Sequence, residues 1–242
     1  MRIVGIIPAR IGSSRLPRKP LLHIKGKPLI QYVYENTQKL YVLDEIWVAT
    51  DDKEIKDCVE EFGGKAILTS PLHSSGTERV REAAQKLGVK KEDLVLNLQG
   101  DEPFLHIPSV ERLIEEFKRD KTLIMGTLAF PSQDREEFLD PNVVKVVTDN
   151  RGFALYFSRS PIPYSRAESP SFWKHLGVYL FRFSLLEKWT ELPPTPLEKV
   201  EKLEQLRAIS NGIPVRVMPA DKDSIGVDTE EDLKKMERLI HG

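Results

Sequence analysis

The chain has little cysteine, little histidine and no excess of either charge. Its single cysteine, Cys58, excludes an intrachain disulfide and suits a reducing cytoplasm. Its five histidines are scattered without paired ligand spacing, which argues against a His/Cys zinc site. Lysine plus arginine number 36 against 37 aspartates and glutamates, a formal net charge of −1. Without a global basic field to recruit nucleic acid, any anion site must be local. Long hydrophobic runs are missing as well: nothing reaches membrane-spanning length, and the apolar run Ile3 to Ile7 is too short for a signal peptide. The expectation is a cytoplasmic, globular protein with no nucleic-acid partner and no membrane insertion. Its 242 residues, 40% hydrophobic and 30% charged, can bury the core of one large α/β domain or of a domain with a smaller lobe.

What is present begins with that apolar run. It reads as a buried strand, and it empties into a loop carrying Arg10, Arg15, Arg18 and Lys19 beside Gly12, Ser13 and Ser14. Small residues let backbone N–H groups approach a polyphosphate, and four cations so close together repel one another unless an anion sits between them. A solvated basic surface loop is the equal-odds alternative. The glycines do not have P-loop or dinucleotide-fold spacing, so kinase and dehydrogenase readings fall behind.

Strand and helix patterns then alternate. Helices are expected at 28 to about 40, 52–62, from 76 behind a Ser75/Glu78 capping box, and 108–120; strands at 45–50, 65–68, 94–98 and 124–130. Such alternation forces parallel pairing through crossover helices, giving a three-layer, mostly parallel sheet with ligands at the carboxyl ends of its strands. Beyond Phe130 the rhythm changes to extended runs at 143–148, 153–158 and 175–182, read as an antiparallel extension. One helix marked by Leu197, Val200, Leu203, Leu206 and Ile209, a strand at 215–218 and a helix at 229–240 complete the chain. With no repeat or linker in view, the economical reading is one domain over residues 1–242, with an inserted lobe at about 131–195.

Two acids follow strand-like stretches. Asp101, in Leu98-Gln99-Gly100-Asp101-Glu102-Pro103, stands beside a glycine that permits a tight turn, and Asp228 precedes the last helix. Each could simply cap a turn or helix, Asp228 with Glu231; Thr229 with Asp232 could cap the same helix instead. Two carboxylates plus a basic Gly/Ser loop suggest nucleotidyl or phosphoryl transfer, with Mg²⁺ bridging carboxylates and phosphate oxygens. Arg79, Arg159, His175, Tyr179, Glu204 and Gln205 are individually weak, each better read alone as a surface or hydrogen-bonded structural residue. Cys58 reads as packing, and Trp47, Trp173 and Trp189 need no cofactor.

Several motifs, in collinear order, carry a resemblance that covers nearly the whole chain. Ile7-Pro8-Ala9-Arg10 through Lys19-Pro20-Leu21 resembles the nucleotide loop of sugar-acid cytidylyltransferases. More specifically, His73-Ser74-Ser75-Gly76-Thr77-Glu78-Arg79, Gln99-Gly100-Asp101-Glu102-Pro103, Asp140-Pro141-Asn142-Val143-Val144-Lys145, Ser158-Arg159-Ser160-Pro161, His175-Leu176-Gly177-Val178-Tyr179, Leu203-Glu204-Gln205-Leu206 and Gly226-Val227-Asp228-Thr229 resemble the 3-deoxy-manno-octulosonate (Kdo) branch, the CMP-Kdo synthetases of lipopolysaccharide assembly. The resemblance implies a Rossmann-like nucleotidyltransferase fold whose lobe serves dimerisation and substrate binding. It implies that Ala9, Arg10, Arg15, Lys19, Gly76 and Gln99 bind CTP, and that Lys19, Asp101, Asp228 and Arg10 are catalytic. Asp101 and Asp228 would hold Mg²⁺. Arg79, Gln99, Arg159, His175, Tyr179, Glu204 and Gln205 would bind the sugar acid, and 140–147 would lie toward a homodimer interface. Arg18 stands where a glycine is usual. The expected activity is CMP transfer from CTP to Kdo; another sugar acid, sialic or 8-amino octulosonic, or a silent nucleotide-binding protein are the alternatives.

Overall fold

The run Ile3 to Ala9 forms β1 (Ile3–Ala9), buried along nearly its whole length, which is why its apolar residues do not alternate with polar ones. The computed structural model describes residues 1–12, 16–166, 170–224, 226–227 and 229–239. Its chain separates into two compact units, Met1–Ile107 with Ser224–Gly242, and Pro108–Asp223. The lobe expected at about 131–195 falls inside the second.

In the first unit β1 is followed by a small hairpin of β2 (His23–Ile24) and β3 (Lys27–Pro28), then α1 (Leu29–Thr37), β4 (Glu45–Thr50), α2 (Lys53–Glu61), β5 (Ala66–Leu68), α3 (Gly76–Lys86) and β6 (Leu94–Asn97). The four longer-range strands pair in parallel in the order β6-β1-β4-β5, as strand–helix alternation requires. Asp52 caps α2, its carboxylate accepting from the N–H groups of Glu54 and Ile55. At α3 the expected capping box forms only halfway: Ser75 Oγ accepts from Glu78 N–H, but the Glu78 carboxylate turns one residue further back, to the N–H and hydroxyl of Ser74.

The second unit begins within α4 (Ile107–Arg119) and continues through β7 (Met125–Ser132), α5 (Arg135–Leu139), β8 (Lys145–Thr148), β9 (Ala154–Ser158), β10 (Phe172–Arg182), α6 (Phe183–Leu186), α7 (Pro196–Glu201), α8 (Leu206–Ser210) and β11 (Arg216–Pro219). β7 is parallel to β11 and antiparallel to β10, which pairs antiparallel with β8, and β8 with β9. The antiparallel extension is therefore present, and the fold is mixed α/β. Gly126 lets α4 press on β7: a Cβ there would lie 2.7 Å from the Phe117 ring. One expectation fails here. The single helix drawn through Leu197 and Ile209 is two short ones, because Lys202 adopts a left-handed backbone (φ 54°) and ends α7. A Thr195/Glu198 capping box starts α7, and the break leaves Leu203 free to enter the core.

The chain rejoins the first unit with α9 (Glu230–Leu239). Thr229 and Asp232 cap it reciprocally, each backbone N–H reaching the other's side chain, so the Thr229/Asp232 cap that the sequence offers is formed.

Candidate active site

In the first unit two chain segments converge on Pro8, near the end of β1. Gly100 lies against it so closely that a Cβ would come 2.9 Å from the Pro8 carbonyl oxygen, and a Cβ on Gly76 would touch the Pro8 ring at 3.5 Å. Glycine at 100 is thus dictated by close approach and not by a left-handed turn, since Gly100 is absent from the positive-φ positions. The result gathers Ala9, Arg10, Gly76, Gln99 and Asp101 at one edge of the parallel sheet, the carboxyl ends of β1 and β6, where α/β sheets bind ligands. Arg10 is exposed and Ala9 buried.

Lys19 reaches the same edge. Its Nζ lies 2.5 Å from Asp101 Oδ2, with both side chains partly buried. Arg18 turns aside to an exposed ion pair with Glu54. Two of the four loop cations are therefore paired by carboxylates of this chain, which corrects the idea that only a bound anion could reconcile them. The Arg18 backbone is left-handed, φ 57° and ψ 28°, a conformation that favours glycine. Arg15 and Asp228 lie outside the described residues. Val227, the residue before Asp228, donates its N–H to the Asp101 carbonyl oxygen at 2.9 Å.

Arg79 is enclosed within the first unit. It is 4% exposed, donating to Thr69 Oγ1 at 2.6 Å and lying 3.2 Å from Asp51 Oδ2. A guanidinium so enclosed braces α3 against the ends of β4 and β5. Upstream of Gly76, the loop is fixed by Glu82, which accepts from Ser70 N–H and contacts His73 and Lys86. Burial by itself would raise the Glu82 carboxyl, but these donors outweigh it and bring its pKa down to about 2.

In the second unit a file of rings joins residues that the sequence left scattered. Phe157 meets His175 edge-on at 5.0 Å, His175 lies 5.4 Å from Tyr179, Tyr179 6.0 Å from Phe181, and Phe181 5.7 Å from Trp189. Trp189 Nε1 then donates to Glu204 Oε1 at 2.8 Å, and the Arg207 guanidinium covers its ring. Gln205, next to Glu204, is buried. His175 and Tyr179 keep one face although β10 bulges between Leu176 and Tyr179, because the bulge spans two extra residues. His175 is half-buried, but wedged among rings it loses solvation and its pKa falls to about 3, so it is neutral.

Arg159 is anchored nearby by backbone oxygens: Nε donates to Glu201 O at 2.8 Å and Nη1 to Pro141 O at 2.9 Å. Beneath it, fully buried Lys145 donates to the carbonyls of Asp140, Val143 and Arg159 at 2.9, 2.6 and 2.7 Å. Burial holds the Lys145 amine below its usual pKa. Sequence reading gave no role to Thr127, placed Lys145 only within the 140–147 stretch expected toward a homodimer interface, and read Trp189 as needing no cofactor.

Comparisons with known proteins show the family. A family model described as Cytidylyltransferase matches residues 4–223. A 3-deoxy-manno-octulosonate cytidylyltransferase from Syntrophobacter fumaroxidans is 51% identical, covering 97% of this chain and 95% of its own length. An 8-amino-3,8-dideoxy-manno-octulosonate cytidylyltransferase from Shewanella baltica is 47% identical, covering 99% of each. A solved CMP:2-keto-3-deoxy-manno-octonic acid synthetase complexed with CTP superposes with a TM-score of 0.93 at 44% identity, over 100% of this chain and 99% of that one. With a family match over residues 4–223 and a relative 51% identical over nearly its full length, the chain is a nucleotidyltransferase that belongs to the cytidylyltransferase family.

Proposed function

We propose that this enzyme transfers CMP from CTP to the anomeric hydroxyl of Kdo, releasing pyrophosphate, as a cytoplasmic step of lipopolysaccharide assembly. The observation that carries the reading is the Lys19–Asp101 pair at the carboxyl edge of the parallel sheet, 2.5 Å across. It sets a cation and a carboxylate where a nucleotide triphosphate meets an α/β sheet. The acceptor oxygen forms a bond to the α-phosphorus as the bond from that phosphorus to the bridging oxygen of pyrophosphate breaks, and the hydroxyl proton leaves to solvent. Lys19 and Arg10 offset charge on the departing pyrophosphate, and the backbone around Ala9, Gly76 and Gln99 takes the nucleoside.

The donor chemistry fits Mg²⁺: Asp101 offers a hard oxygen ligand whose side chain is 31% exposed, and the Val227 bond ties the residue next to Asp228 to the same turn. Asp101 and Asp228 would hold the ion, which when bound neutralises phosphate charge and acidifies the acceptor hydroxyl. His175, Tyr179, Glu204, Gln205 and Arg159 contact the sugar acid in this reading. Arg79 is better placed to brace α3 than to touch substrate, its guanidinium being already engaged.

We place a homodimer here as well, as the resemblance implies. Within 140–147 the surface is offered by Pro141 and Asn142, next to 55% exposed Leu139, while Lys145 and Val146 are buried in their own chain.

The test is pyrophosphate release on mixing protein, CTP, Mg²⁺ and an acceptor panel of Kdo, 8-amino-3,8-dideoxy-manno-octulosonate and a sialic acid. The highest kcat/KM is expected with Kdo. Preference for the 8-amino acid would move the chain to the activity named for its Shewanella baltica relative, and no release with any acceptor would make it a silent nucleotide binder.

A further inference from the structure

The bulge in β10 leaves one hydroxyl among more acceptors than it has protons. Thr127, on β7, is fully buried. Its Oγ1 lies 2.7 Å from the Val178 carbonyl oxygen, 3.2 Å from the Leu176 carbonyl oxygen and 3.0 Å from His175 Nε2. Both carbonyls belong to the bulged stretch, where the register on β7 passes from Leu176 opposite Leu128 straight to Tyr179 opposite Thr127. Carbonyl oxygens only accept, and a hydroxyl owns one proton. That proton goes to Val178, the nearer carbonyl, which leaves the hydroxyl lone pairs facing His175.

An N–H at Nε2 completes the arrangement. The opposite tautomer would set two carbonyls and a ring nitrogen, all acceptors, around a single proton. Burial keeps the ring neutral, so no second proton fills Nδ1 near neutral pH. Among the described residues, Thr127 is the ring's only hydrogen-bond partner. Whatever meets Nδ1 must therefore be a donor. A sugar hydroxyl qualifies; the carboxylate of the same molecule does not.

We propose that Thr127 is a positioning residue whose hydroxyl locks His175 as the Nε2–H tautomer, so that Nδ1 accepts a hydroxyl of the sugar-acid acceptor. The second half rests on the acceptor reading given above; the first half rests on the geometry of this chain.

The test joins spectroscopy to kinetics. In ¹⁵N-histidine-labelled protein, with the His175 signals assigned by loss in His175→Gln, long-range ¹H–¹⁵N correlation is expected to show the Nε2–H pattern. Thr127→Ser keeps that pattern and the parent KM for Kdo. Thr127→Val loses the pattern and raises the KM for Kdo about tenfold, while the KM for CTP holds. An Nδ1–H pattern in the parent overturns the proposal, as does a Thr127→Val protein that keeps either the pattern or the parent KM. Should Thr127→Val not fold, the parent spectrum and Thr127→Ser decide it, a changed pattern in Thr127→Ser being adverse. If the parent does not use Kdo at all, the functional reading fails, while the spectrum still decides the tautomer.

Discussion

Val227 donates its backbone N–H to the carbonyl oxygen of Asp101 at 2.9 Å, pinning the segment before α9 to the turn after β6. Two loops more than a hundred residues apart in sequence thereby share one anchor, and the Asp101 carboxylate is left to Lys19.

Because that anchor is a backbone bond, the carboxylate can be changed without releasing it. Asp101→Asn is expected to lower kcat for pyrophosphate release by about a hundredfold or more, the scale of losing one preorganised charge at a transition state, with Tm within a few degrees of the parent. Asp228→Asn should behave alike. Near-parent turnover in either variant, measured with Mg²⁺ and CTP, removes that residue from the catalytic set.

Arg18 holds a left-handed backbone that costs a non-glycine residue about 1–2 kcal/mol. Glycine removes that strain but adds about 0.5–1 kcal/mol of unfolded-state entropy and loses an exposed ion pair of little worth. Arg18→Gly is therefore expected within about 0.5 kcal/mol of the parent in urea unfolding, and Arg18→Val, whose branched side chain resists this conformation, at least about 1 kcal/mol below it. Equal losses in both would show that the side chain of Arg18, not its backbone, matters.

Lys145 satisfies three part-buried carbonyls with one ammonium. Lys145→Met keeps the length but strands those oxygens, so a loss of about 3 kcal/mol is expected from chemical denaturation. A loss under about 1 kcal/mol would mean that water replaces the amine.

The Glu82 carboxyl is held at about 2 in the folded protein against an ordinary 4.5, so the folded state keeps it ionised where the unfolded chain would protonate it. Its contribution is complete above about pH 4.5 and is lost as pH falls through about 2. Glu82→Gln should lower stability near neutrality by about 1–2 kcal/mol, below the full linkage value because the side chain is partly exposed, and flatten the acid limb between those pH values. An unchanged acid limb in the variant would assign the effect to other carboxylates.

By itself the sequence determined the elements and the chemistry they could carry. Periodicity located the parallel strands and their crossover helices within about three residues, since hydrophobic spacing is a local property set by helix and strand geometry. Motif order supplied the family, and it named Ala9, Arg10, Lys19, Gly76, Gln99 and Asp101 as candidates for the nucleotide site. Only the tertiary structure decided which partners those side chains took. Arg79 and Arg18 met carboxylates, His175 met Thr127 across 48 residues, and Glu204 met Trp189. The helix expected through Leu203 broke at Lys202 because core packing and a left-handed residue overrode a pattern that ran on unbroken in the sequence. The physical reason is one of range: spacing along the chain fixes which way a side chain points, whereas its hydrogen-bond partner, its burial and its tautomer depend on strands that pair from far away in the sequence.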